Sequence, residues 1–333
     1  MRGVCNNLSQ MADNTTAQPT EQPPRRRARR WWFALGVAAL ALAGWWFGVE
    51  LPERRAAAEL KRQQAEKSFR IADLGLDMVW IPPGTFRMGT SAQSAPVRWF
   101  YDLRAKITDR PNPDYQHTQD WPATWVMLTR PFWLGRTEVT QAQWQAIMGD
   151  NPSYFKGEDL PVENVLWEDA MEFCRKLTER ERAVGHLPKG YAYTLPTEAQ
   201  WEYTCRGGTI GDYAGDLDAL AWYNKNSGGM PHPVGTKQAN EWGLYDMEGN
   251  VWELCTDWLD DYPGGDVTNP KGPSSSLSHS RVIRGGSWFN SALEGAHRDG
   301  NTTGDRSTNI GFRLALAPAA VASPAPAATT KKN

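Results

Sequence analysis

RVIRGGSWFNSALEGAHRDGNTTGDRSTNIGFRLAL, residues 281–316, closes the part of the chain whose composition is that of a folded domain. The two ends of this stretch are apolar and predict two buried strands, because short apolar runs bounded by glycine and polar residues are typical of strands. The apolar residues are Val282 and Ile283 at one end and Ile310, Phe312 and Leu314 at the other. Mostly small, polar and charged residues fill the space between them, and none of them is a cysteine.

The composition sets broad limits on the fold and on the partners. The 333 residues are 40% hydrophobic, which is enough for one large core or two modest ones. A net charge of −2 gives no electrostatic footprint for nucleic acid. With 17 Trp, 30 Gly and 23 Pro, the chain is expected to be rich in turns and aromatic contacts.

The amino-terminal region carries the pattern of a membrane anchor. Residues 1–30 are polar and predicted to be disordered, and they end in RRRARR. The uncharged run WWFALGVAALALAGWWFGV (31–49) is just long enough to span a bilayer. The arginines before it predict a single-pass inner-membrane protein with its amino terminus in the cytoplasm and its domain in the periplasm. A buried core helix, or a signal peptide cleaved after the small residues 41–44, remains an alternative.

The rest of the chain divides by composition. Residues 50–74 are predicted to form a charged helical spacer, and residues 75–316 the folded domain. The Ala- and Pro-rich residues 317–333 form a tail that cannot build a core.

Within the domain, helices are few and short, and they are segregated in sequence from the short strands. Helices are expected at 137–149 and 195–208, because each has a Thr followed three residues later by Gln, and each ends near a Gly. A third helix, at about 167–182, follows from apolar residues at helical spacing. The turn-rich remainder has strand patterns at 78–89 and 131–139. We therefore expect an α+β fold rather than a doubly wound parallel sheet.

The turn WGLYDMEGNVWELCTDW (242–258) is a candidate calcium site. Asp246 and Glu253 offer carboxylates, and Gly249 and Val251 offer backbone carbonyls. Several oxygens in a loose geometry suit Ca²⁺. The alternative is a polar turn held against the core by its tryptophans.

Seven motifs in a fixed order resemble the sulfatase-modifying-factor family, whose namesake is the formylglycine-generating enzyme. They are MVWIPPGTFRMGT, GRTEVTQAQWQAIM, LPVENVLWEDAMEFCRKL, YTLPTEAQWEYTCRGG, GLYDMEGNVWEL, RVIRGGSW and NIGFRLA. The resemblance implies a C-type-lectin-like α+β domain with little regular secondary structure and with structural calcium. It places Asp246, Gly249, Val251 and Glu253 on one calcium site of the family.

The resemblance also exposes a missing pair of cysteines. In members that generate formylglycine, two cysteines after GGS(Y/W) bind copper and activate oxygen, and the matching positions here are Asn290 and Gly295. An amide and a glycine cannot replace the soft thiolates that select Cu(I). A copper-dependent oxidase is therefore not expected, whereas iron is not excluded as a cofactor. In some relatives a disulfide would join Cys205 to the position of Leu314, so Cys205 lacks that partner.

Two classes of function follow. One is an enzyme that matures an envelope or secreted substrate without the copper–cysteine pair. The other is a lectin-like binding module that presents residues 289–309 to an envelope protein, a peptide or a glycan, since loops on rigid scaffolds often carry function. The residues expected on that surface are Phe289, Asn290, Ser291, His297, Arg298, Asn301 and Asp305.

Overall fold

The computed structural model describes Leu35 and residues 51–89, 123–208, 216–290 and 297–319. The chain divides into two units, Met1–Ala58 and Glu59–Asn333, and the sheets and the core belong to the second. Across the described ranges no helix is long and apolar enough to cross a bilayer. The predicted anchor, residues 31–49, lies outside those ranges except for Leu35.

The described helices are short except for two. They are α1 (Leu51–Lys67), α2 (Gln141–Met148), α3 (Trp167–Ala183), α4 (Glu198–Arg206) and α5 (Leu217–Leu220). The prediction of α2 and α4 from their capping boxes is confirmed, because Thr140 and Thr197 each accept a bond from the backbone of the Gln three residues later. Helix α2 also ends as expected, at Gly149 in the left-handed conformation.

The strands form three small sheets, which confirms the mixed α+β architecture. The first has the order β1-β2-β5-β12-β6, the second β10-β9-β7-β11 and the third β3-β4-β8. The neighbours pair antiparallel except β11 with β7 and β4 with β8. The bounds are β1 (Phe69–Ile71), β2 (Leu76–Ile81), β3 (Gly84–Met88), β4 (Thr124–Leu128), β5 (Phe132–Gly135), β6 (Tyr191–Thr194), β7 (Trp252–Trp258), β8 (Asp266–Thr268), β9 (Ser280–Arg284), β10 (Arg298–Thr302), β11 (Ile310–Gly311) and β12 (Ala315–Pro318).

The first end of the stretch 281–316 is a buried strand, β9, as predicted. At the other end only Ile310 lies in a strand, the two-residue β11, whereas Phe312 and Leu314 are buried in the segment between β11 and β12. The two ends do not pair with each other. Strands β9 and β11 lie on opposite sides of β7. The polar connection between them contains β10, which pairs antiparallel with β9. The predicted loop 289–309 therefore includes a strand, because backbone pairing along a sheet edge does not require apolar side chains.

Large aromatic residues fill the core between the helices and the sheets. Trp144 of α2 stacks on Phe173 of α3 with ring centroids 5.7 Å apart. Phe312 contacts both rings edge-on, at 6.0 Å and 5.6 Å. Burying such side chains contributes about 1.5–3 kcal/mol each, so this cluster ties the carboxy-terminal strands to the helices.

The spacer predicted at 50–74 is helical only as far as Lys67. The chain turns into β1, which pairs with β2 through Phe69 opposite Met78. The first sheet thus begins at residue 69, before residue 75, where the sequence placed the start of the domain.

Candidate functional site

Position 290, where the resemblance places the first copper thiolate, closes a tight turn. The Oδ1 atom of Asn290 accepts bonds from the backbone N–H of Ser287 at 2.9 Å and from its hydroxyl at 2.7 Å. Asn290 also donates its backbone N–H to the Ser287 carbonyl, at 3.0 Å. The side chain therefore holds the turn that follows β9. Ser291 and Gly295 lie outside the described residues.

Four aromatic rings form a row beside this turn, which we name the aromatic rim: Tyr154, Phe155, Trp288 and Phe289. Consecutive ring centroids are 5.0, 5.6 and 5.6 Å apart, and each neighbouring pair is nearly perpendicular. The two end residues are largely exposed, Tyr154 by 70% and Phe289 by 69%. Exposed apolar rings in a cluster are typical of interaction sites.

Glu163 positions the loop that carries Tyr154 and Phe155. Its Oε1 accepts the backbone N–H of Phe155 at 2.8 Å, and its own N–H donates to the Ser153 hydroxyl at 3.1 Å. Burial raises the pKa of Glu163 to about 7, although the amides of Phe155 and Tyr154 act in the opposite direction. The sequence analysis missed these residues, yet two adjacent aromatics between Pro152 and Gly157, in a turn, were a readable signal.

The remaining predicted loop residues do not share one surface. Asp305 is exposed, whereas Asn301 is buried and donates to the Asp305 carbonyl at 3.2 Å. The ring of half-buried His297 packs 5.2 Å from the ring of Trp252. Arg298 is buried, so its side chain does not face solvent.

Arg298 belongs instead to a buried ion-pair network. Its Nε and Nη2 atoms each lie 2.7 Å from the carboxylate of Glu198, and Tyr262 donates its hydroxyl to the same group at 2.9 Å. One turn along α4, Glu202 pairs with Arg284 at 2.6 Å. The signal available in the sequence was PTEAQWE, because glutamates four residues apart on a helix lie on one face.

At the candidate calcium turn, the carboxylate of Glu253 is already paired with a buried cation, and no group of three or more His, Cys, Asp or Glu side chains in the described ranges could hold a metal ion. Both oxygens of Glu253 face the Arg313 guanidinium, at 2.5 and 2.6 Å, and Trp201 Nε1 also donates to Oε2 at 2.6 Å. Asp246 accepts the Gly235 N–H through Oδ2, whereas its buried Oδ1 has no hydrogen-bond partner among the described residues. Asp246 thus fits a cation better than Glu253 does.

Glu138 adds two more buried oxygens beside Asp246, and the two carboxyls are close enough to share a proton. Burial first, and then the charge of Asp246, raise the pKa of Glu138 well above its usual value. Burial likewise raises the pKa of Asp246 to about 6. A cation beside these carboxyls would offset that penalty.

The backbone of the same turn is fixed by close crossing of chains. Gly249 has a φ of 85°, and a Cβ there would lie 2.3 Å from the Trp222 carbonyl oxygen. The Gly249 N–H donates to the Gly285 carbonyl at 2.8 Å. Val251 is fully buried. The geometry therefore requires glycine at 249 whether or not a cation binds.

The three cysteines in the described ranges, Cys174, Cys205 and Cys255, are buried and free of disulfides. Burial raises the pKa of each thiol above its usual value. Because the thiolate is the reactive form, these groups are inert at neutral pH.

Comparison with known proteins gives one family and several relatives. A family model described as the sulfatase-modifying factor enzyme 1-like domain matches residues 63–318. Chaperone protein LppX of Paenibacillus barcinonensis is 35% identical over 207 residues, covering 48% of this chain and 70% of that protein. The formylglycine-generating enzyme of Mus musculus is 33% identical over 213 residues, covering 57% of this chain and 52% of the enzyme. This chain therefore matches about half the length of that enzyme.

One solved structure is similar over most of the domain. Treponema denticola variable protein 1 superposes with a TM-score of 0.62 at 30% sequence identity. The match covers 75% of this chain and 98% of that one.

Proposed function

Because the chain belongs to the sulfatase-modifying factor family, matched over residues 63–318, we propose that it binds a polypeptide at the aromatic rim and does not oxidise cysteine with copper. The observation that carries this proposal is the role of Asn290. Its side-chain oxygen accepts two hydrogen bonds from Ser287 and so stabilises the turn. Phe289, in the same turn, is exposed to solvent beside Trp288.

The geometry of the rim favours a polypeptide over a glycan. Sugar rings stack on flat aromatic faces, but successive rings of the rim are turned by 77–86° relative to each other. Clefts between perpendicular rings suit apolar side chains, and aromatic residues dominate the energy of many protein interfaces. The name of the chaperone relative, at 35% identity, supports the same choice.

A peptide array probed with the purified full chain tests this proposal. We expect binding to peptides with spaced apolar residues, and Phe289→Ser and Tyr154→Ser should each weaken it. Leu277→Ser is the matched control, because Leu277 is also a fully exposed apolar residue but is not part of the rim. Binding to a glycan array alone, or equal loss in the control, would contradict the proposal.

A maturation enzyme without the copper–cysteine pair is the second candidate. It is favoured by the identity to formylglycine-generating enzymes, 33% for the mouse protein. Its substrate would be an envelope or secreted protein. Metal analysis of the purified chain, followed by oxygen-consumption assays with iron, separates it from the binding protein.

We also propose that residues 31–49 anchor the chain in the inner membrane with the domain in the periplasm. The uncharged run and the five arginines before it support this orientation. Alkaline phosphatase fused after residue 60 should be active, because it works only outside the cytoplasm. Activity of a cytoplasmic reporter at the same position would reverse the orientation.

A structural calcium ion at the Asp246 turn is the last part of the proposal. It is supported by the two buried, neighbouring carboxyls of Asp246 and Glu138, neither of which pairs with a described cationic side chain within salt-bridge distance. Asp246, Glu138 and the backbone near Gly249 and Val251 would hold the ion. Its role would be to neutralise buried carboxylates.

A further inference from the structure

A cavity of about 400 Å³ lies between the sheet β3-β4-β8 and the first turn of α4. Its walls are mostly apolar, and none of the four rim residues lines it. Met88, Val126 and Val267 contribute from the sheet, and Pro270 and Pro273 from the segment after β8. A cavity of this size with apolar walls and a few polar groups is typical of a small-ligand site.

The strongest charges in the cavity are already satisfied by one another. The Glu198 carboxylate is held by Arg298 and by the Tyr262 hydroxyl. The remaining Arg298 donor, Nη1, bonds the Asp260 carbonyl at 2.6 Å. These groups form the end wall of the cavity and leave no cation there for an anionic ligand.

Asp257 is a buried carboxylate of the lining that keeps one oxygen without a hydrogen bond among the described residues. Its Oδ2 accepts the Glu198 N–H at 3.0 Å and the Thr256 hydroxyl at 2.9 Å. Among the described residues none donates a hydrogen bond to Oδ1, although the residue is only 4% exposed. Gly272 faces this oxygen, because a Cβ at 272 would lie 3.2 Å from it. Glycine therefore leaves Oδ1 uncovered.

The other ionisable groups of the lining add negative charge. Asp260 and Asp261 line the cavity together with one further cation, Lys271. Carboxylates therefore outnumber cations, four to two. Burial, and after it the charge of Glu198, raises the pKa of Asp257 to about 7. A bound cation would stabilise the ionised carboxylate against both effects.

We propose that this cavity binds an ammonium or guanidinium group carried on an apolar body, with Oδ1 of Asp257 accepting an N–H bond. The apolar part lies against Val126, Val267 and the prolines. The cationic group belongs either to a free organic amine or to a lysine or arginine side chain of a partner. The site is independent of the aromatic rim.

Ligand-observed NMR on the full chain in nanodiscs tests the proposal, with empty nanodiscs as background. Phenethylamine and phenethyl alcohol share one apolar body and differ in the charge at its end. N-acetyl-lysine amide and N-acetyl-norleucine amide make the same comparison for a side chain. We expect each cation to bind about tenfold or more tightly than its neutral match, because a hydrogen bond to a charged group is worth that much. The cation that binds more tightly identifies the source.

Two variants locate the binding. In Asp257→Asn the amide oxygen can keep the Glu198 N–H bond while the amide nitrogen faces the cavity, so the preference for the cation should disappear. Val267→Phe fills the cavity from a half-buried strand position and should abolish binding of all probes. Its control is Thr268→Phe on the exposed side of β8.

Three results would overturn the proposal. They are equal binding of the cation and its neutral match, no binding of any probe, and binding that survives Val267→Phe in a folded protein.

Discussion

The guanidinium of Arg313 and the carboxylate of Glu253 form a two-point ion pair, with nitrogen–oxygen distances of 2.5 and 2.6 Å, that is fully shielded from solvent. The same guanidinium donates to the carbonyls of Gly135 at 3.1 Å and Tyr245 at 2.9 Å. One side chain thus joins the end of β5, the candidate calcium turn and β7.

Replacing Arg313 by lysine should lower the stability strongly. Lysine keeps the charge, but its compact ammonium cannot reproduce the planar fork that serves Glu253 and two carbonyls. Leaving buried partners unmatched costs about 2–4 kcal/mol. Urea unfolding of the two proteins measures the difference.

The matched control is Arg306→Lys, because Arg306 is exposed and pairs at 2.6 Å with the half-buried Asp169 at the protein surface. Exposed pairs contribute about 0–1 kcal/mol. An equal effect of both substitutions would show that the burial of the Arg313 pair is unimportant.

Removing calcium should lower the melting temperature of the wild-type chain. At a free concentration near 100 times Kd, an ion that binds only the folded state adds about 2.7 kcal/mol. EDTA should therefore shift the melting curve downward, and added Ca²⁺ should restore it. Asp246→Ala should remove this sensitivity, whereas exposed Asp266→Ala on β8 should keep it.

Glu253→Ala is a poor probe of the same site, because it also leaves the buried Arg313 guanidinium without its carboxylate partner. A wild-type melting curve that ignores both chelator and added Ca²⁺ would end the calcium proposal. Loss of sensitivity in Asp266→Ala would place the ion elsewhere.

Arg298→Ala should lower the stability of the folded protein. Substitution of a surface residue that only contacts a ligand would leave the stability unchanged. The change leaves Glu198 without its main partner in a buried site, which costs about 3–5 kcal/mol. Asp305→Ala should change the stability by about 0.5 kcal/mol or less, because Asp305 is exposed. Thermal melting of the two variants side by side gives the answer, and an Arg298→Ala protein that melts like wild type would refute the buried pair.

Local signals allowed the helices to be predicted well. Thr140 with Gln143, and Thr197 with Gln200, each mark a helix start within one turn of the chain, and the structure keeps both. Such bonds join residues three apart, so the sequence alone contains both partners.

The site could not be predicted as well, because its interactions join distant residues. Arg298 looks like a surface residue inside RDGNTTGD, but its partner Glu198 lies 100 positions earlier. Asp246 and Glu253 lie close together in the sequence. However, the carboxylate of Glu253 pairs with Arg313, which lies 60 residues later in the chain. Spacing shows which groups are near along the chain, whereas charge pairing is decided by the fold.

Glu163 should make stability depend on pH. Its folded pKa of about 7 lies above the usual carboxyl value of 4.5, so the folded state holds a proton that the unfolded state has lost between those values. The contribution to stability is therefore complete below about pH 4.5 and is lost as pH rises through 7. After allowance for partial solvation, we expect a loss of about 1–2 kcal/mol.

Comparing wild type with Glu163→Gln isolates this effect. Asp257, whose pKa is also near 7, titrates in both proteins and cancels from the difference. Unfolding free energies measured from pH 5 to pH 8 should show that wild type loses more stability than the variant. Parallel curves would mean that Glu163 is ionised throughout.

The wild-type chain should not convert a cysteine peptide of the sulfatase type to formylglycine with copper and oxygen. Asn290 is committed to the Ser287 turn, and the thiols of Cys174, Cys205 and Cys255 are buried with raised pKa values. No soft thiolate is therefore available in these described positions to select Cu(I). Mass spectrometry of the incubated peptide detects the exchange of thiol for aldehyde.

The variant Asn290→Cys/Gly295→Cys should bind Cu(I) more tightly than wild type, as measured by competition with a chromogenic chelator. Turnover by the wild type that disappears in Cys255→Ser would show that a buried thiol acts after all, and the binding function proposed here would fall.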